Sequence, residues 1–221
     1  MDTYEIIWTR EQLWKGCILA SIAHAIMVAH YPEISHEHSW DGINYSVQDS
    51  AGTRGTITFH TQYCVAAFRD ERSSRISSGD AGKYFLSAPS NIVELAEEEA
   101  LQYLLDDING QSTPLITTAF WSDGEKLYSH DSFPEMLRNG GDILEIQVMD
   151  IDSAIKSWVD YYDMNVEQVK LLRSIYEKKI SNPNQEMKLS EVEVALISSD
   201  DQEGLGESKI SFEEMGILLE V

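Results

Sequence analysis

The feature that most constrains this chain is a run of fourteen almost wholly apolar residues, 16–29, interrupted by one serine and one histidine. A membrane-spanning helix needs about 18–20 apolar residues, so this run is too short to cross a bilayer. Its apolar positions lie nearly all round a helix, which is typical of a helix that is buried on most sides. The run therefore predicts a core helix that begins after Thr9 and is stopped near His30 by Tyr31-Pro32.

Strand patterns follow this helix. Residues 43–49 and 56–68 contain alternating apolar and polar positions, and the glycine-containing turn between them predicts a β-hairpin. Helical and strand patterns are segregated along the chain rather than alternating, which favours an α+β fold. We expect a buried N-terminal helix packed on antiparallel hairpins, with a second, acidic α+β half.

The second half mixes helical and strand patterns. Helices are predicted over 91–105, 131–138, 152–162 and 166–180, and strands over 114–121, 143–149 and 192–197. Capping-box spacing at Asn91/Glu94 and at Asn165/Gln168 indicates two of the helix starts. Gly110 is expected to end the first of these helices.

The charge of the chain is strongly asymmetric. It has 16 Lys and Arg against 38 Asp and Glu, a formal net charge of −22 at pH 7. Residues 91–221 contain 28 acidic and nine basic residues, whereas residues 1–90 contain ten and seven. Such a chain repels phosphate backbones, and it has no glycine-rich phosphate loop, so we expect no nucleic-acid partner.

The amino-acid composition and the charge of the chain change near residues 87–90. This change predicts two regions: 1–88, with the N-terminal helix and hairpin, and 89–221, the acidic α+β region. One continuous domain is the alternative. The first residues contain no basic stretch ahead of an apolar one, and two cysteines do not make a disulfide scaffold. Together these features predict a cytoplasmic protein without a membrane segment, and secretion by a route without a cleaved signal is the alternative.

Residues 36–41 read His-Glu-His-Ser-Trp-Asp, and imidazole and carboxylate are zinc ligands. In an extended segment, His36 and His38 would point to the same side. The string resembles the His-x-His-x-Asp-His loop of the metallo-β-lactamase family, but Asp41 stands one position late and no histidine follows it. We therefore expect neither a metal nor a cofactor, and keep His36, His38 and Asp41 as the alternative metal set.

Cys17 is the candidate nucleophile. A helix start and the nearby Lys15 would lower the pKa of its thiol. The preceding glutamine and glycine resemble papain-like cysteine hydrolases, whose cysteine needs a histidine base. His24 lies about 10.5 Å along the same helix, so His38 or His60 would have to serve. The apolar neighbours favour the other interpretation, a small buried side chain, and no catalytic residue is assigned.

Binding residues are predicted from residue type and charge. Tryptophan, tyrosine and arginine dominate binding hot spots, and two glycines frame Arg54 so that it can project from a hairpin tip. Exposed carboxylates of the second half would face a basic partner. The predicted binding residues are Trp40, Asp41, Tyr45, Arg54, Glu97, Glu98 and Asp106.

These observations favour a non-enzymatic, acidic, cytosolic binding protein that masks a basic protein partner. In composition it resembles bacterial immunity proteins, which neutralise basic toxins. The alternative is a hydrolase that uses either Cys17 or a metal held by the loop containing His36, His38 and Asp41. A third hypothesis is that the charge only maintains solubility. The sequence does not determine the oligomeric state.

Overall fold

A computed structural model describes residues 3–76 and 80–219 of the chain. Helices and antiparallel strands are both abundant there, which confirms the α+β class. The helices are α1 (Arg10–Met27), α2 (Ser90–Glu98), α3 (Phe133–Arg138), α4 (Ile151–Tyr162), α5 (Val166–Ser181), α6 (Glu191–Ala195) and α7 (Gln202–Glu214). The strands are β1 (Tyr4–Thr9), β2 (His38–Asp41), β3 (Asn44–Gln48), β4 (Thr53–Phe59), β5 (Cys64–Asp70), β6 (Leu105–Ile108), β7 (Gln111–Pro114), β8 (Thr118–Asp123), β9 (Lys126–Ser129), β10 (Met187–Leu189) and β11 (Ile217–Leu219).

The chain forms two compact units, each assembled from segments that are distant in sequence. The first unit contains Met1–Leu13 and Ile43–Glu145, and the second contains Trp14–Gly42 and Ile146–Val221. The change of composition near residues 87–90 falls inside the first unit. The division into the regions 1–88 and 89–221, with one continuous domain as the alternative, stays a prediction.

The first unit is built on antiparallel strands in the order β1-β9-β8-β5-β4-β3. The predicted hairpin is present as β3 and β4, with Tyr45 opposite Ile57. A helical layer made of α2 and the 3₁₀ turn Ala100–Leu104 packs on one face of the sheet. Ile92, Ala96 and Leu104 of this layer share a core with the residues of β5 and β8.

The second unit contains most of α1, together with α4 to α7 and the parallel pair β10-β11. All residues from 17 to 29 are buried, so the predicted burial of the apolar run is confirmed. The helix ends at Met27, slightly earlier than expected. A Cβ at Gly16 would lie 1.6 Å from the carbonyl oxygen of Gln147, so this helix passes against backbone and tolerates only glycine there.

Of the two predicted capping boxes, the one at Asn165/Gln168 is confirmed, whereas the one at Asn91/Glu94 is wrong because α2 begins after Pro89. The Asn165 side chain accepts hydrogen bonds at the start of α5, and Gln168 returns one, which completes the predicted capping box. Ser132 and Glu135 do the same for α3. For α4 the cap is Asp150, whose carboxylate accepts from the backbone N–H of Ser153.

Two predicted strands are wrong. Residues 143–149 form a 3₁₀ turn, Gly141–Leu144, followed by further turns. Leu144 and Gln147 are the buried side chains there, and this spacing of three overrides the apparent alternation. Residues 192–197 fall largely in α6, where Ser190 and Glu193 form a capping box.

The predicted helix over 91–105 is also shorter than expected. It begins after Pro89 rather than at Asn91, and it breaks at Glu99 into the 3₁₀ turn. Gly110 does not end it. Asn109 and Gly110 have φ angles of 56° and 81° and form the two-residue turn between β6 and β7, as an Asn-Gly pair favours.

Among the described residues, no helix combines the length and apolar character that crossing a membrane requires.

Candidate functional site

The predicted binding residues differ in their exposure. Trp40 is buried, and its indole N–H donates to Ser21 Oγ at 2.8 Å. Tyr45 is fully buried. Both rings therefore act as core side chains. Asp41, Glu97 and Glu98 are exposed to solvent, as a role in binding requires.

Arg54 does not lie at a hairpin tip, which corrects the expectation for this residue. It stands inside β4, directly opposite Arg69 of β5. Gly52, with φ of 93°, makes the turn. A Cβ at Gly55 would lie 2.3 Å from the ring of Phe68, so that glycine is required by packing rather than by the presentation of an arginine.

Arg69 lies opposite one predicted binding residue, Arg54, and contacts a second one, Asp106. Its guanidinium contacts the Asp106 carboxylate at 2.6 Å and the Glu71 carboxylate at 2.6 Å. The hydrogen bond from Arg69 is the main cause that lowers the pKa of Asp106, and the charge of Arg54 adds a smaller effect. Asp106 is therefore engaged with cations of its own unit and contributes less to an outward negative surface than Glu97 or Glu98.

The loop that includes His36, His38 and Asp41 does not assemble a metal centre. His36 and Asp41 are exposed, whereas His38 is buried. Within residues 3–76 and 80–219, no group of three or more His, Cys, Asp or Glu side chains is placed to hold a metal ion. His38 instead contacts the rings of His24 and Trp158, with centroid distances of 5.3 and 5.5 Å.

Burial governs the protonation of His24 and His38. It lowers the pKa of His24 to about 4, although the hydrogen bond to the Ile34 carbonyl oxygen opposes this shift. Burial also lowers the pKa of His38 well below its ordinary value, and the neighbouring His24 lowers it further. Both rings are therefore neutral near pH 7, and each forms part of the core.

Neither cysteine has the environment of a nucleophile. Cys17 and Cys64 are unbonded to each other and fully buried. Reactive thiolates are partly exposed and lie in electropositive surroundings. Burial raises the pKa of the Cys64 thiol to about 11, which keeps it protonated. The side chain of Cys17 lies in the apolar interior of the second unit, as its alternative interpretation predicts.

A surface cleft of about 360 Å³ in the second unit was not predicted from the sequence. It lies between the segment that follows α1 and the C-terminal end of α4. The residues that line this tyrosine cleft are Tyr31, Glu33, Ile34, Tyr161, Tyr162 and Asp163. Three aromatic rings and two carboxylates thus surround it, and none of the described residues that line it is basic.

A second cleft, between α4 and α5, has the opposite character. Its volume is about 430 Å³, and Lys156, Lys170 and Arg173 line it together with apolar side chains. Lys170 pairs with Glu167 at 2.7 Å, and Arg173 pairs with Asp152 at 3.0 Å. This cleft does not suit a cationic ligand, and it provides an internal contrast to the tyrosine cleft.

Comparisons with known proteins reveal no relative: no protein-family model matches the chain, and no curated protein or solved structure shows significant similarity to it. Function is therefore inferred from the side chains and their surroundings.

Proposed function

We propose that this chain is a non-enzymatic cytoplasmic binding protein whose acidic surface associates with a basic protein partner and masks its charge, in the manner of an immunity or inhibitor protein. The observation that carries the proposal is the excess of acidic residues after position 90, 28 against nine basic ones. Charge of one sign steers a partner of the other sign during encounter and disfavours wrong partners.

The placement of the basic residues supports this proposal. Of the nine basic residues after position 90, Lys126, Lys170, Arg173, Lys178 and Lys209 each lie within ion-pair distance of a carboxylate. Their charge is thus compensated locally. Glu97 and Glu98, by contrast, are exposed on α2 and add to the outward negative field.

The hydrolase alternative draws no comparable support from the described residues. Cys17 is fully buried, and His24 and His38 are buried and neutral. A general base must reach the proton that it abstracts, and a nucleophile must reach its substrate. Neither requirement is met at these three side chains.

Replacing Glu97 and Glu98 by lysine should slow association with the basic partner by roughly 3- to 10-fold at low salt, because charges at the rim of an interface act mainly on encounter. The measurement is surface plasmon resonance with the basic protein recovered from native lysate. At ~1 M salt, where the Debye length is only ~3 Å, the double variant and the wild type should associate at similar rates.

Asp106→Asn provides the matched comparison, because this variant removes a carboxylate that is already engaged by Arg69. It should change the association rate less than the Glu97→Lys/Glu98→Lys variant, because it changes the net charge by one unit rather than four. Equal association rates for the wild type and the Glu97→Lys/Glu98→Lys variant at low salt would contradict a role for this surface.

A further inference from the structure

We propose that the tyrosine cleft binds a lysine side chain of the basic partner, with the ammonium group held by aromatic faces and carboxylates. This inference rests on the proposed function and specifies its chemistry, because it gives the acidic protein a site that selects one type of side chain. The aromatic residues, the carboxylate behind them and the helix end beside them all favour a cation.

The aromatic rings that line the cleft differ in their exposure to solvent. Tyr162 is buried, and Trp158 stacks on it with ring centroids 5.7 Å apart and planes at 19°. Tyr161 stands nearly perpendicular to Tyr162, at 4.7 Å and 77°, and is 58% exposed. Tyr31, 39% exposed, lines the cleft from the other segment. The face of an aromatic ring is electronegative and attracts a cation.

A buried carboxylate strengthens this attraction. Glu37 is 9% exposed, and it accepts hydrogen bonds from the hydroxyl groups of Tyr161 at 2.8 Å and Tyr162 at 3.2 Å. Donation to a carboxylate moves electron density toward the rings, so their faces become more negative. The charge of Glu37 also acts across a medium of lower dielectric constant than water, which increases its effect on a bound cation.

The rim of the cleft supplies hydrogen-bond acceptors for the ammonium group. Glu33 and Asp163 are exposed, and their carboxylates can accept from it. Asp163 caps the C-terminal end of α4 with φ of 53°. The C-terminal end of a helix carries partial negative charge, which favours a cation at this point.

The size of the cleft selects a single side chain. A volume of about 360 Å³ lies near the small end of ligand-binding clefts, too small for a folded segment of a partner. The apolar side chain of Ile34 and the ring edges can contact the methylene stem of a lysine, while the charged end meets the carboxylates. The α4–α5 cleft, lined by three basic residues, should not accept the same ligand.

The probe for this site is Nα-acetyl-lysine N-methylamide, and its control is the norleucine analogue, which has the methylene stem without the charge. Titration followed by two-dimensional NMR should show the lysine probe binding at least tenfold more tightly, with the largest shifts at Tyr31 and Tyr161. Equal affinity of the two probes, or shifts centred on the α4–α5 cleft, would overturn the inference.

Substitutions in the tyrosine cleft distinguish binding at this site from general electrostatic attraction to an acidic surface. Tyr31→Leu, which keeps an apolar side chain, and Glu33→Gln should each weaken binding of the lysine probe at least threefold. Asp163→Asn should do the same, since asparagine tolerates the left-handed backbone at this position. Glu186→Gln removes an exposed carboxylate away from the cleft and should leave the affinity unchanged. Equal loss in all these variants would overturn the inference.

The outcomes distinguish this inference from the proposed function. In one outcome, the wild type and Tyr31→Leu capture the basic partner equally well, and neither binds the lysine probe. The inference about the cleft then fails, and the proposed masking function stands. If the wild type binds the lysine probe in the cleft but captures no basic partner, masking fails and the cleft remains a cation site.

Discussion

Ile22→Ala and Ile26→Ala should each lower the free energy of unfolding by about 2–5 kcal/mol. Both side chains are fully buried on α1. Truncation removes apolar atoms from the interior and leaves a cavity that the surroundings fill only in part. The lost burial of apolar atoms and the remaining cavity both destabilise the fold. Chemical denaturation with urea, monitored by tryptophan fluorescence, gives the free energy of each variant.

Ile210→Ala is the matched control, because it makes the same substitution on helix α7 at a side chain that is 52% exposed. Substitutions at exposed positions usually change stability by less than about 0.5 kcal/mol. Losses that small at both Ile22 and Ile26 would show that α1 is peripheral to the stability of the chain.

Acidification from pH 6.5 to 4 should destabilise the protein by about 3 kcal/mol through His24 alone, at about 1.4 kcal/mol for each pKa unit. The pKa of His24 in the folded protein is about 4, below its ordinary value of 6.5. As the pH falls below 6.5, the unfolded chain binds the proton first. The stabilisation is thus fully present above pH 6.5 and is lost toward pH 4. His38, whose pKa is also lowered by burial, adds to this loss.

Urea denaturation at several pH values measures this effect. His24→Gln retains a donor for the Ile34 carbonyl oxygen, and this variant should flatten the dependence of stability on pH between 6.5 and 4. Ile210→Ala, which removes no titratable group and lies at a half-exposed position, should keep the pH dependence of the wild type. Carboxylates titrate in the lower part of this range in all variants, so the difference between variants isolates His24. Identical pH slopes in His24→Gln and the wild type would show that His24 is not buried in its neutral form.

Local signals in the sequence predicted much of the secondary structure. The apolar run gave the buried helix α1, and the spacing of Asn165 and Gln168 gave the start of α5. Where two patterns compete, local information is insufficient. Residues 143–149 alternate like a strand, but burial of Leu144 and Gln147 in the folded chain selects turns.

The candidate site could not be predicted in the same way, because its residues meet only through tertiary packing. Tyr31 and Tyr161 are far apart in the sequence, and nothing in either local segment indicates that they line one cleft. The local electrostatic environment of a side chain cannot be predicted from the sequence either. The acidic excess is visible in the composition, whereas the engagement of Asp106 by Arg69 depends on the pairing of β5 with its neighbours.

The central claim is that the acidic surface binds a basic protein, and affinity capture from native lysate of the source cells tests it most directly. The tagged protein should retain a protein rich in lysine and arginine at ~0.05 M salt and release it at ~1 M, because the Debye length falls from well above 10 Å to ~3 Å. The purified pair should then rebind with an affinity that falls steadily as salt rises. Recovery of no basic protein at low salt, or rebinding that does not depend on salt, would contradict the claim.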